Sequence, residues 1–415
     1  MADESPRRPS RRQFLREAAA ATLVATAAGA SRAAAAPRHV LLRSSWQTVN
    51  IGDIAHTPGM LALLERHLPE TRVTLWPNTL SPQVERMLRA RFPKLNIART
   101  DAEKDAALRD CDFCLHGSGP GLVGRRELYR WRETGKPYGF GGVTLSDNEL
   151  RDDRGLLDGA RFLFCRDSLS LAAARAAGVK SPLLDFTPDA TFHLDLRADD
   201  AAGAFLKRHG LEPGGFACFV PRLRWTPYWK DGRKMDPAEV ARKEAENERH
   251  READHAKLRH AVAAWVSKTG RKALLCPEMT YQVDLLRPLL FDALPAEVKP
   301  KVVVRPDYWL TDEAASTYAG AAAVVSLEMH SPIIAVAAGT PAIHVRQPTD
   351  TRKGQMWRDV GLGDWLFEAE KTTGEEIAAA LLGIARDGEV ARANVKKTNQ
   401  RTADAGRAMV AAMSI

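Results

Sequence analysis

The chain of 415 residues is poor in the features that define several special classes of protein. It has only five cysteines, an odd and small number that excludes a disulfide-rich fold. No stretch of 18 or more strongly apolar residues occurs, so we expect no membrane-spanning helix. Hydrophobic residues make up 45% and charged residues 27%, which excludes a disordered or collagen-like chain. The length predicts two or three domains with cores of their own.

The excess of positive charge is small. There are 60 basic and 52 acidic residues, and the first 36 residues contribute six arginines and three acidic residues, so +3 of the total of +8 belongs to them. The remaining +5 suits anionic small substrates or acidic glycans. It is too weak for a nucleic-acid-binding surface, and we predict no nucleic-acid partner.

The first 36 residues follow the order of an export signal. Residues 10–15 read Ser-Arg-Arg-Gln-Phe-Leu, which resembles the core of a bacterial twin-arginine signal. A weakly apolar, alanine-rich stretch follows at 18–30, and small residues at 33–36 offer a cleavage site. The sequence predicts an exported, periplasmic protein with no transmembrane segment after signal removal. The alternative is a disordered basic tail ahead of a cytosolic enzyme.

From residue 38 onward, short apolar runs alternate with amphipathic helical stretches. This alternation predicts crossover connections between parallel strands, and therefore an α/β fold with mostly parallel sheets. A polar segment at 195–215 predicts a junction between two lobes. The predicted organisation is an export signal at 1–36, an N-terminal lobe at 37–197, a C-terminal lobe at 198–372 and closing helices at 373–415.

One stretch, residues 236–268, differs from the rest because its first two thirds are highly charged. It begins with Asp-Pro, which predicts a long helix that is solvated at its start and packed at its end. The alternative is an arm that touches a partner. Its histidines, His250, His255 and His260, lie five residues apart and do not share a helix face, and we predict no metal site.

Polar turns follow several predicted strands of the N-terminal lobe, where open α/β sheets bind ligands. Asn50 and Asp53 either orient a sugar hydroxyl or cap the next helix. His116, before a glycine-rich turn, is either a turn residue or an acid of the site, and the glycine spacing does not predict a nicotinamide cofactor. Arg166 and Asp189 form either a structural pair or part of the site. The predicted substrate contacts in this lobe are Trp46, Asn50, Asp53, His116, Ser118, Arg166 and Asp189.

The C-terminal lobe opens with a strand followed by a loop rich in arginine and aromatic residues. Arginines such as Arg222 and Arg224 bind carboxylate or phosphate groups, and aromatic faces such as those of Trp225 and Trp229 stack on sugar rings. The loop therefore predicts ligand contact. The alternative is a partly exposed loop without a ligand.

The segment 322–335 predicts a buried strand that ends near Leu327 and a helix capped by Ser331. His330 then lies at a helix N-terminus, where anions bind and where an imidazole serves as general acid or base near neutral pH. We predict His330 and Glu328 as catalytic residues.

Taken in order, the motifs resemble the polysaccharide pyruvyl transferase family over about residues 40–346. The matching residues are Asn50-Ile51-Gly52-Asp53, Gly117-Ser118-Gly119, Arg166-Asp167-Ser168-Leu169-Ser170 with Gly178 and Pro188-Asp189, and Ser326-Leu327-Glu328-Met329-His330 with Gly339-Thr340-Pro341. The resemblance implies two Rossmann-like lobes in a glycosyltransferase-B-like arrangement, with the site in the cleft. It also implies transfer of a pyruvyl unit from phosphoenolpyruvate to two hydroxyls of a sugar, with no cofactor.

The resemblance implies that His330 acts at the donor, and that Arg222, Arg224 and Ser331 hold the donor anion. Glu328 stands where the family has arginine, which reverses the local charge. Three readings follow: a pyruvyl transferase acting on a cell-surface glycan, another glycan-modifying transferase on this scaffold, and an exported glycan-binding protein without catalysis. The expected partners are a glycan or sugar acceptor and, for the first reading, phosphoenolpyruvate.

Overall fold

Two parallel sheets form the framework of residues 37–414, the part of the chain that this computed structural model describes; the predicted export signal lies outside it. The strands of the first sheet are β1 His39–Ser44, β2 Arg72–Pro77, β3 Asn96–Ile97, β4 Phe113–His116, β5 Gly119–Pro120, β6 Tyr138–Thr144, β7 Phe162–Cys165 and β8 Leu183–Phe186. Their order is β3-β2-β1-β4-β6-β7-β8, with β5 beside β6. Strands β1, β4 and β6 are buried along their whole length, which explains their nearly continuous apolar sequence.

The second sheet repeats this arrangement with six strands. They are β9 Phe216–Val220, β10 Lys272–Leu275, β11 Val302–Val304, β12 Ala323–Ser326, β13 Ala342–Arg346 and β14 Leu366–Glu368. Their order, β11-β10-β9-β12-β13-β14, is that of the Rossmann fold, and all pairs are parallel. The predicted α/β fold with two Rossmann-like lobes is confirmed.

Strands β8 and β14 were not predicted from the sequence. Both lie at an edge of their sheet, and most of their residues are only half-buried. An edge strand packs against one neighbour, so it lacks the long apolar run by which central strands are recognised.

Helices cover the two sheets and close the chain. They are α1 Ile51–His67, α2 Pro82–Arg91, α3 Asp101–Asp110, α4 Arg125–Glu133, α5 Asp147–Asp152, α6 Arg154–Asp158, α7 Ser168–Ala176, α8 Asp199–His209, α9 Pro237–Thr269, α10 Thr311–Gly320, α11 His330–Ala337, α12 Met356–Asp359, α13 Gly374–Arg386 and α14 Gly388–Ala411. Among these helices none is long and apolar enough to span a membrane. Helix α9 is the predicted long helix, and its C-terminal half buries Leu258, Val262 and Trp265.

The two lobes are closed against each other. One buried apolar cluster contains Ile54 of α1, Ile333 of α11 and Val410 of α14. The chain before α1 also pairs with the segment after β10, because the backbone of Ile51 donates to the carbonyl of Glu278 (3.1 Å) and that of Thr280 to Val49 (3.0 Å). This contact brings the N-terminus of α1 and the carboxyl edge of the second sheet to one point.

Candidate functional site

Five buried ionisable residues meet where the carboxyl ends of the two sheets face each other. Asp53 and His56 come from α1, after β1, whereas Glu278 follows β10 and Glu328 and His330 follow β12. We call these five the interlobe cluster. Its place, at strand ends beside the switch points of two Rossmann-like sheets, is where such folds bind ligands.

The N-terminal side of the cluster is set by the start of α1. Asn50 caps the helix, because its Oδ1 accepts hydrogen bonds from the backbone N–H groups of Gly52 (2.6 Å) and Asp53 (3.3 Å). Of the two predicted roles for Asn50, the structure therefore supports the cap. Asp53 accepts a hydrogen bond from Gln47, whose amide also donates to the hydroxyl of Tyr228 (3.1 Å). Asp53 is thus linked to the other lobe through the loop of residues 221–230 after β9, which we call the aromatic loop.

His56 is held from behind by a buried polar network. Its Nδ1 lies 2.9 Å from Asp189 Oδ1 and 2.7 Å from Ser118 Oγ, and Arg166 donates to Asp189 Oδ2 (2.5 Å). Burial lowers the pKa of His56, although Asp189 opposes this shift. Burial alone would raise the pKa of Asp189, but His56 and Arg166 outweigh it and hold that pKa well below the ordinary value. Arg166, Ser118 and Asp189 therefore form a buried network that positions His56, which favours the structural alternative for Arg166 and Asp189. The substrate contacts assigned to these three residues stay predictions.

His330 begins α11, but a carboxylate of the protein already occupies this helix terminus. Glu278 Oε2 accepts from the backbone N–H of Ser331 (2.6 Å), and Glu278 Oε1 lies 3.4 Å from His330 Nδ1. Ser331 was predicted as the cap and as a donor contact. Its hydroxyl instead contacts the hydroxyl of Tyr318 (3.1 Å), and the cap position is Met329, two residues earlier than predicted.

The imidazole of His330 is packed tightly yet is poor in hydrogen bonds. Neither of its ring nitrogens has a hydrogen-bond partner within residues 37–414. Its ring stands edge-on to that of His56, with 5.2 Å between centroids. A Cβ at Gly52 would lie 2.1 Å from the Cβ of His330, so only glycine permits this approach of α1 to α11.

Glu328 does not reverse the local charge as strongly as its sequence position predicts. Its Oε1 accepts from Gln282 Nε2 (2.9 Å), and its Oε2 lies 3.3 Å from Nε of Arg222. Burial raises the pKa of Glu328 to about 8, with a further contribution from Glu278, although Arg222 opposes the shift. Burial thus favours the neutral form of this carboxyl group, whereas the ion pair with Arg222 favours the charged form.

Two cations lie on the C-terminal side of the cluster. Arg222 is paired with Asp350 as well as Glu328; burial lowers its pKa, but these carboxylates outweigh burial and raise it. Lys353, in the short 3-10 turn after β13, interacts electrostatically with Glu278, Glu328 and Asp350. The sequence carried no motif at Lys353.

Arg224 and Trp225 do not reach the interlobe cluster. Arg224 forms a two-point pair with Asp254 of α9 (2.9 and 3.1 Å) and contacts Glu370 (2.9 Å). The indole N–H of Trp225 donates to Glu246 (2.7 Å). Both residues hold the aromatic loop to α9, which explains part of that helix's charge. This position does not match the donor-binding role predicted for Arg224.

Trp229 lines a cavity of about 500 Å³ between the aromatic loop and α9. Tyr281 lines it as well, together with polar residues such as Asn247 and Asp284. The indole N–H groups of both tryptophans predicted to contact a glycan donate to glutamates of α9, Trp225 to Glu246 (2.7 Å) and Trp229 to Glu244 (3.2 Å). Of the two, only Trp229 lines this cavity.

Replacing Trp229 with alanine is expected to weaken glycan binding by about one to two kcal/mol, because the cavity loses an aromatic wall. Trp225→Phe, which removes the hydrogen bond to Glu246 but keeps an aromatic ring, is the matched control and should bind as wild type does. Titration of acidic oligosaccharides into each variant measures the difference. Equal affinity in all three proteins would mean that the cavity is not a glycan site.

Trp46 and His116 pack together beside the network behind His56. The indole N–H of Trp46 donates to the carbonyl of Ser118 (2.6 Å), and its ring stacks on His116 at 5.0 Å. Burial, helped by the charge of Arg43, lowers the pKa of His116 to about 4, and its Nε2 contacts the carbonyl of Val123 (3.1 Å). These contacts support His116 as a turn residue.

The sequence profile named polysaccharide pyruvyl transferase matches residues 50–347, which is most of the chain. No curated protein matches the sequence significantly. Many solved structures are similar to this chain, among them three that match over nearly their whole length. Anabaena Alr3699/HepE in complex with UDP and glucose is 10% identical, with a TM-score of 0.53 and coverage of 90% of this chain and 97% of that one.

The other two similar structures are UDP-GlcNAc 2-epimerases. The enzyme from Neisseria meningitidis bound to UDP-GlcNAc is 11% identical, with a TM-score of 0.54 and coverage of 90% of this chain and 99% of that one. The enzyme from Methanocaldococcus jannaschii is 12% identical, with a TM-score of 0.54 and coverage of 84% and 92%. At such identities the likeness establishes the fold alone, which is a glycosyltransferase-B-like pair of lobes.

Proposed function

The chain belongs to the polysaccharide pyruvyl transferase family, and from that premise we propose that it transfers a pyruvyl unit from phosphoenolpyruvate to a glycan. The observation that carries the proposal is the interlobe cluster itself. Buried groups that accept and donate protons lie there between two lobes, with Arg222 and Lys353 beside them. A dianionic donor on the C-terminal side and a sugar on the N-terminal side both fit this arrangement.

The proposed reaction balances without a redox partner. The oxygen of one sugar hydroxyl bonds to C2 of phosphoenolpyruvate, and a proton is added to C3, which turns the methylene into a methyl group. The oxygen of a second hydroxyl then displaces phosphate, which leaves with the electrons of its C–O bond. The products are a cyclic ketal and inorganic phosphate, and the two hydroxyl protons balance the methyl and phosphate groups.

The residues divide between the two partners of this reaction. Arg222 and Lys353 are the cations that meet the carboxylate and phosphate of the donor. Asp53, Gln47 and Tyr228 offer hydrogen-bonding groups to sugar hydroxyls on the other side. His330 lies beside both Glu278 and His56, and in this proposal it is the group that acts at the reacting atoms.

Release of phosphate tests the proposal. The full chain is incubated with phosphoenolpyruvate and a mixture of bacterial surface oligosaccharides, and inorganic phosphate is measured together with the mass of the glycan. We expect phosphate release that depends on the glycan, and a mass gain of about 70 Da for each phosphate released, which is the mass of pyruvic acid less that of one water molecule. Glycan binding without either change would favour a non-catalytic glycan-binding protein.

We further propose that the acceptor is a cell-surface glycan and that the chain is exported by its N-terminal segment. Support comes from Arg11 and Arg12, which precede a weakly apolar stretch and small residues. Replacing both with lysine is expected to leave the protein full-length in the cytoplasm, whereas the wild type is cleaved and periplasmic. Cell fractionation with mass measurement checks this, and a full-length cytoplasmic wild type contradicts it.

A further inference from the structure

One carboxylate and two imidazoles meet at the junction of the lobes. Asp53, His56 and His330 are all buried, and one ligand atom of each lies within 4.8 Å of those of the other two. Asp53 and His56 lie one turn apart on α1, and His330 begins α11 of the other lobe. The packing of the N-terminal ends of α1 and α11 therefore holds these three side chains close together.

Both imidazoles have buried ring nitrogens without a hydrogen-bond partner within the described chain. His56 uses Nδ1 for Asp189 and Ser118, while its Nε2 lies 3.9 Å from Asp53 Oδ1 and has no hydrogen-bond partner within residues 37–414. His330 Nδ1 lies 3.4 Å from Glu278, and its Nε2 is also unpartnered within that part of the chain. Buried polar atoms are almost always satisfied, so unpartnered nitrogens in one place indicate a missing ligand.

The arrangement around the imidazoles is that of metal ligands. A histidine that binds a metal through one ring nitrogen usually gives its other N–H to a carboxylate, which fixes the tautomer and the ring. Asp189 takes this position behind His56, and Glu278 takes it behind His330. Two imidazoles and one carboxylate suit zinc, iron, cobalt or manganese better than magnesium or calcium, which prefer oxygen ligands.

We infer that Asp53, His56 and His330 bind one divalent transition-metal ion. Bonds of about 2.0–2.2 Å require ligand atoms about 3.4 Å apart, so the side chains close inward by roughly an ångström on binding. Three protein ligands leave at least one coordination position open for an oxygen of a substrate. What the ion does in turnover rests on the proposed function, whereas its binding does not. The sequence did not predict it, since 274 residues separate His56 from His330.

Metal binding is measured without any substrate, so its outcome is independent of the pyruvyl transferase proposal. The full chain is stripped with a chelator, loaded with Zn²⁺, dialysed, and analysed for metal by mass spectrometry. Co²⁺ serves as a second probe through its visible absorption. We expect one ion per chain, and at least tenfold weaker binding in His330→Gln and in Asp53→Ala.

The control is His260→Gln, which removes an exposed histidine remote from the cluster and should bind as wild type does. Circular dichroism establishes that each variant is folded; Asp53, at the edge of the cluster, provides the second variant if His330→Gln does not fold. A wild-type chain that retains no more zinc than the stripped protein overturns the inference. Zinc retained equally by folded Asp53→Ala or His330→Gln also overturns it, since the ion is then elsewhere.

Discussion

Replacing His330 with alanine is expected to lower glycan-dependent phosphate release by roughly 10²–10⁴-fold, the range for loss of a group that acts at the reacting atoms. The physical reason is the position of His330 between the proposed acceptor and donor sides, where it contacts both His56 and Glu278. Its loss removes the proposed acid or base from the point where the two substrates meet. The measurement is the initial rate of phosphate release at saturating phosphoenolpyruvate.

His260→Ala is the matched control for this experiment, because it removes an exposed histidine with no contact to the cluster, and it should keep the wild-type rate. A second variant, Gly52→Ala, tests the same point by geometry. Its added methyl group must displace His330 from α1, so the rate should fall although the imidazole remains. A rate within threefold of wild type for His330→Ala would remove this residue from the reaction.

Replacing Asp189 with alanine is expected to cost about 3–5 kcal/mol of the free energy of unfolding. Asp189 is completely buried and pairs with the guanidinium of Arg166 (2.5 Å) and the imidazole of His56 (2.9 Å). Its removal leaves a buried positive charge without a partner, which is costlier than losing the pair's attraction alone. Urea unfolding followed by circular dichroism measures the change.

Asp185→Ala is the control, because Asp185 is an exposed carboxylate four residues earlier and should lie within about 0.5 kcal/mol of wild type. Replacing Arg166 with methionine in the Asp189→Ala background should recover part of the loss, since the uncompensated charge is then gone. If Asp189→Ala unfolds at the same urea concentration as Asp185→Ala, the pair does not stabilise the lobe.

Much of the framework could be predicted because the central strands are buried on both faces. Strands β1, β4, β9 and β12 read as continuous apolar runs, and the polar residues that follow them do meet at one edge. The positions of Asp53 and His330 in the site follow from that rule alone.

Three members of the site escaped prediction for a different reason. His56 lies inside a helix, Glu278 follows β10 without any motif, and Lys353 lies in a short 3-10 turn after β13. Each reaches the site only through tertiary packing of the lobes, such as the backbone pairing of residue 278 with α1. The spacing of Asp53 and His56, one helical turn apart, was the one local signal available.

The charge of Glu328 shows a further limit of the sequence. A carboxylate in place of the family's arginine predicts repulsion of a dianionic donor. Burial changes this expectation, because it raises the pKa of Glu328 to about 8. The pairing of Arg224 shows the same limit. Its partner Asp254 lies 30 residues away on α9, and the sequence does not reveal which charges pair, so the assignment of Arg224 to donor binding took no account of this ion pair.

Isothermal titration of phosphoenolpyruvate into the wild type and Glu328→Arg tests the central claim most directly, because it asks whether the interlobe cluster binds the donor. The account predicts wild-type binding with a free energy of about 5–8 kcal/mol, which is a Kd between micromolar and submillimolar values. It predicts at least about tenfold tighter binding by Glu328→Arg, where a second guanidinium stands beside Arg222. No measurable binding by either protein at millimolar phosphoenolpyruvate would contradict the account and leave the family relationship as one of fold.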